Sequence, residues 1–202
     1  MGLNDAYAKA VESMRRIDPR TAASASGVEY REDRFIITLF NRTYAVQFPG
    51  GGVVEVGADS RENKLIEVLL MHYLTHADGA AVSGVWINYR QLPGAKLFEQ
   101  RFINLVSRPM LEFCGDSIDN FKGAACALGG RPMDSTGDAA FRFEALPRLP
   151  MACIFHCGED AISPSLNILF DESAPHYLPT EDLTILGGIM NSLMKKGRQN
   201  GL

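Results

Sequence analysis

Two histidines four residues apart, His72 and His76, are the first candidates for chemistry in this chain. On a helix such residues share a face, and two imidazoles there can hold a metal ion. The general-base glutamate of the H-E-x-x-H signature is missing, because Tyr73 stands in its place. The preferred reading is therefore a half-buried helix end that carries two histidines, and no metal is assigned. Arg90 leaves a strand-like segment beside a turn, where a guanidinium can grip a carboxylate or phosphate with two parallel bonds. The competing reading is an ion pair that holds a loop. Asp171 ends an apolar run and has no capping role to explain it. Carboxylates at strand ends are common site positions, and turn aspartates that accept backbone N–H groups are equally common.

Asp171 opens the densest polar segment, DESAPHYLPTED at 171–182. Part of that density has a helical explanation. Thr180 reads as an N-cap, and Glu181 and Asp182 fall in a first turn, where negative charge meets the positive end of the helix dipole. The four cysteines, Cys114, Cys126, Cys153 and Cys157, include no C-x-x-C pair. In a regular strand Cys153 and Cys157 would lie roughly 13 Å apart, whereas one zinc ion wants sulfurs about 4 Å apart. A site of His156, Cys157 and a distant histidine is the weaker alternative. Asp134 and Asp138 lack the calcium-loop pattern and read as a turn. PGGG at 49–52 lacks the residues of a phosphate loop and reads as a hairpin.

Composition narrows the function classes. The 202 residues carry a formal charge of −4, with 46% hydrophobic and 22% charged residues. This is globular composition, and its acidic balance argues against nucleic acid as a partner. No apolar run approaches the ~20 residues of a membrane helix. The start, MGLNDAYAKAVESMRR, has no apolar signal region, and Ala6 stands where a myristoylation site needs Ser or Thr. A cytoplasmic setting with reduced thiols is expected.

The elements that would position these residues follow from periodicity. Residues 3–17 read as an amphipathic helix ended by Pro19, and 20–27 as a small-residue linker. FIITLF (35–40), TYAVQF (43–48) and VVEV (53–56) read as a meander. Residues 61–77 form the clearest helix, apolar around much of its circumference, with Asp59 or Ser60 as cap and Glu62 at the third helical position. A short strand follows within 84–94. Helical spacing resumes at 95–106, with a break or kink at Pro109, and again at 116–128, with Asp116 or Ser117 as cap. AAFRFEAL (139–146), MACIFHC (151–157) and SLNILF (165–170) alternate as three strands, and a final helix starts at Thr180.

WINYRQLPGAKLFEQRF, the glycine pair at 129–130, the Gly-Asp at 137–138 and LFDESAPHYLPTEDLTILG together resemble the bacterial family catalogued as domain of unknown function 3786. The stretches are spread over residues 86–187. The resemblance implies membership of an uncharacterised family found mostly in anaerobes. Some members are similar in arrangement to proteins with an added iron–sulfur domain of the corrinoid-protein kind. This chain has no four-cysteine segment for such a cluster. HCGED at 156–160 matches no family motif, and no catalytic residue carries over.

The sequence reading is thus a single α+β domain over 1–202. Residues 1–27 form a helix and linker, 28–188 the core, and 189–202 the end of the last helix and a tail. The two meanders join into one antiparallel sheet with helices on one face. The expected function is a small-molecule or cofactor-binding accessory protein of anaerobic metabolism, with Arg90, Asp171, His72 and His76 as its contacts. One alternative is a metal-dependent enzyme using His72, His76 and a carboxylate such as Asp171. Another is an assembly partner acting through a homo-oligomer interface. The reading names no cofactor and no catalytic residue.

Overall fold

Alternation of apolar and polar residues builds the first sheet. β1 (Glu29–Arg31), β2 (Arg34–Leu39), β3 (Arg42–Gln47) and β4 (Val53–Glu55) pair in chain order, each antiparallel to the next. Phe35, Ile37, Leu39, Tyr44 and Val46 point inward and are buried, while Arg34, Thr38 and Gln47 point out. Coordinates come from a computed structural model that describes residues 2–58, 63–158 and 163–199.

The second sheet holds the strands read from the last third of the sequence. β7 (Ala139–Leu146), β8 (Leu149–His156) and β9 (Ser165–Asp171) are consecutive antiparallel neighbours. β6 (Arg131–Pro132) and β5 (Trp86–Asn88) flank them, in the order β5-β9-β8-β7-β6. Phe141, Phe143, Met151, Cys153 and Phe155 share the buried face, as their period of two predicts. On the opposite face Arg142 lies over the Trp86 ring at 5.9 Å.

The expected single sheet is two sheets. Among the described residues no ladder connects them, since β1 and β4 are the edges of one and β5 and β6 the edges of the other. They meet at a corner, where the Phe40 N–H donates to the Ala145 carbonyl at 2.9 Å and the Phe40 and Phe143 rings meet edge to face. The expected linker at 20–27 is also different. Pro19–Ser26 is a helix, α2, with Asp18 accepting from the Thr21 N–H at 2.8 Å and Gly27 ending it at φ 71°. Proline in the first turn and a left-handed glycine at the end are ordinary helix punctuation.

α1 (Leu3–Met14) and α3 (Lys64–His76) pack together, and α3 is buried along most of its length from Ile66 to Leu74. The expected caps Asp59, Ser60 and Glu62 lie outside the described residues. Asn63 caps α3, accepting from the Leu65 and Ile66 N–H groups at 3.2 and 3.4 Å. The Tyr73 hydroxyl donates to the Ser26 carbonyl at 2.6 Å and accepts from the Arg148 N–H at 3.1 Å. One side chain thereby ties α3 to α2 and to the β7–β8 turn.

α4 (Glu99–Phe102) runs through a π-helical stretch at 103–107 into α5 (Arg108–Cys114), followed by α6 (Ile118–Ala127). Pro109 explains the irregularity, because it has no N–H for the Leu105 carbonyl four residues back. The Asn191 amide, from α7 (Thr180–Gln199), approaches that carbonyl at 3.4 Å instead. Gly187 and Gly188 let α7 pass close to the π-helical stretch. A Cβ on Gly187 would sit 3.1 Å from both γ-carbons of Val106, and one on Gly188 would sit 2.9 Å from Leu105.

Candidate functional site

The α3 and α7 walls and the inner face of β3 and β4 enclose a cleft of about 850 Å³. Its apolar wall is formed by Leu65, Ile66, Leu105, Ile185, Ile189 and Leu193. The π-helical stretch presents Leu105 to it, and such stretches recur at functional sites. Its polar floor comes from the hairpin. Arg42 Nη1 lies 3.0 Å from Glu55 Oε1, and the Tyr44 hydroxyl approaches Glu55 Oε2 at 3.5 Å. The β3–β4 register places Tyr44 opposite Glu55, so the three polar groups share one face. Burial, with the Glu55 charge next, pushes the Tyr44 phenol up to about 12. Lys64 and Lys196 stand at the rim, with Lys64 Nζ donating to Asn4 Oδ1 at 2.9 Å. A second concavity of about 1030 Å³ continues around β4, lined by Arg34, Gln47, Val54 and Val56.

None of the four residues singled out from the sequence lines this cleft. Arg90 is 79% exposed and paired with Glu99, the loop-holding arrangement set against the ligand reading. Asp171 is buried at the other end of β5, where Trp86 is its cross-strand partner. Its Oδ1 accepts from the Ser83 N–H and hydroxyl at 3.0 and 2.9 Å and from the Ser173 N–H and hydroxyl at 2.9 and 2.6 Å. Its Oδ2 accepts from the Gly84 N–H at 2.7 Å. Burial opposes its charge, but the bonds from Ser173 and Ser83 prevail and hold its carboxyl below the usual range.

His72 and His76 do lie together, in the last turns of α3. His72 Nδ1 is 2.6 Å from Asp182 Oδ2, with the two side chains 26% and 13% exposed. His76 Nδ1 donates to the His72 carbonyl at 3.0 Å, and the two ring centroids are 5.7 Å apart. Nearby in sequence, Asp78 pairs with His176 at 2.7 Å, and the bond from His176 lowers the Asp78 pKa. Glu181 pairs with Arg101 at 2.7 Å. The Thr180 hydroxyl, read as a cap, donates to the Pro93 carbonyl at 2.6 Å and anchors the helix start to the loop after β5. Asp138, from the loop at 131–138, accepts the Cys157 N–H at 2.8 Å.

The sequence reading missed Arg42, Tyr44 and Glu55. Their signal was present, since Arg42 and Glu55 occupy inward positions of alternating strands, where unpaired charge is costly. The pairing of His72 with Asp182 had no local signal, because 110 residues separate them.

The model of the family described as domain of unknown function (DUF3786) matches residues 18–192, and the chain belongs to that family. No curated protein and no solved structure matches it.

Proposed function

We propose that this protein binds a small molecule with an apolar body and an anionic head in the cleft between β3–β4, α3 and α7. The reading rests on one observation, the convergence of apolar walls on the Arg42–Glu55–Tyr44 set within about 850 Å³. That volume lies in the usual range for small-molecule sites, roughly 300–1,000 Å³. Among the described residues, three cations (Arg42, Lys64, Lys196) face two carboxylates (Glu55, Glu67) around it, a positive excess. Glu55 holds the Arg42 guanidinium in place and leaves its remaining donors to meet a carboxylate or phosphate.

The test uses anilinonaphthalene sulfonate, an apolar anion whose fluorescence rises on burial. Saturable binding by the wild type is expected, with weakening of roughly tenfold or more in Arg42→Met, the loss of one charge-assisted hydrogen bond. Leu65→Glu, at an exposed wall position, should weaken it similarly while circular dichroism stays unchanged. Equal affinity in all three proteins refutes the reading.

A second reading, assembly through the open edge of β4, is favoured by the 60% and 56% exposure of Val54 and Val56 there. Sedimentation as a monomer at every concentration removes it, and a dimer that dissociates on Val54→Lys supports it.

A further inference from the structure

We propose that His72 and His76 form a binding site for a divalent transition-metal ion such as zinc or nickel. One nitrogen of each ring is already committed. His72 Nδ1 faces the Asp182 carboxylate at 2.6 Å, and His76 Nδ1 donates to the His72 carbonyl at 3.0 Å. Both contacts place a proton on Nδ1, so in the neutral ring that binds a metal the lone pair is on Nε2. A histidine that ligates a metal through one nitrogen characteristically donates its other N–H to a carboxylate or backbone carbonyl. Both partners are present here, one for each ring. Neither Nε2 has a hydrogen-bond partner among the described residues.

The spacing fits as well. With a metal–nitrogen distance of about 2.1 Å, two imidazoles on one tetrahedral ion have centroids roughly 5.3 Å apart. The centroids of His72 and His76 are 5.7 Å apart, with ring planes at 64°, close to that separation. The pair occupies the last two turns of α3, where the helix dipole favours positive charge. His76 is exposed, which leaves a route of entry. No third histidine, cysteine or carboxylate completes a cluster among the described residues, so water or a small ligand fills the remaining positions. The site is separate from the cleft, since neither histidine lines it.

The experiment is calorimetric titration of untagged, chelator-treated full-length protein with zinc chloride, repeated with nickel chloride. One ion per chain is expected. His76→Ala, at an exposed position, should reduce affinity at least tenfold, and His72→Ala likewise. Asp182→Asn should weaken binding by about 10–100-fold, the usual effect of losing a carboxylate that orients a ligand, with circular dichroism unchanged. His176→Ala should bind as the wild type does. Absence of binding, or binding that survives His76→Ala, overturns the proposal. So does unchanged affinity in a folded Asp182→Asn, which would mark the pair as two surface imidazoles with adventitious affinity only.

Discussion

Replacing Asp171 by asparagine changes few atoms, yet the geometry makes it costly. The carboxylate accepts five hydrogen bonds, four on Oδ1 and one on Oδ2. An asparagine that keeps its carbonyl at the Oδ1 position must turn its NH2 toward the Gly84 N–H, setting donor against donor. The flipped amide is worse, because four donors then face the NH2. The better rotamer loses one charge-assisted bond, weakens four others and sets the Gly84 N–H against a second donor. At about 1.5–3 kcal/mol for a bond to a charged group, the expected loss is about 2–4 kcal/mol. For a chain of this size each kcal/mol moves the melting midpoint by about 2–4 °C, so a fall of roughly 5–15 °C is expected at neutral pH. Urea unfolding followed by circular dichroism measures it.

The pH dependence supplies a second arm. The folded-state pKa of Asp171 is depressed, so the unfolded chain takes up the proton first as pH falls. The contribution is complete above the unfolded value near 3.9 and is lost as pH drops through the folded value. The gap between wild type and Asp171→Asn should therefore be widest at neutral pH and should narrow below about pH 4. A variant within about 0.5 kcal/mol of wild type at pH 7, or a gap that widens in acid, would refute the assignment of Asp171 as the clamp on the loop before β5.

Two other substitutions test the packing that positions the sites. Tyr73→Phe removes the donor to the buried Ser26 carbonyl and the acceptor for the Arg148 N–H; a loss of about 1–3 kcal/mol is expected by chemical denaturation, and a neutral result would mean that water replaces the hydroxyl. Gly187→Leu forces side-chain atoms against the fully buried Val106; about 1–3 kcal/mol of destabilisation is expected despite the gain in helix propensity, and a rise in melting temperature would show that α7 can move away from the π-helical stretch.

How far the sequence revealed this molecule depends on the range of the interaction involved. β7, β8 and β9 were legible because alternation is a local signal and neighbouring strands in sequence pair in space. α2 was misread because RTAASASG has no apolar stripe, although Asp18-Pro19 before it and Gly27 at its end carry the start and stop signals of a helix. Whether two meanders share one ladder is decided at their edges, and nothing in the sequence of β1 or β4 says what lies beside it. The same divide separates the histidines from their chemistry. Their spacing on one helix face is written in four consecutive positions, but the carboxylate that fixes the His72 proton arrives from α7. Before that contact is known, His72 and His76 are two imidazoles of undetermined tautomer. Afterwards both Nδ1 atoms are committed and both Nε2 atoms are left without a hydrogen-bond partner among the described residues, which turns a sequence spacing into a candidate ligand pair.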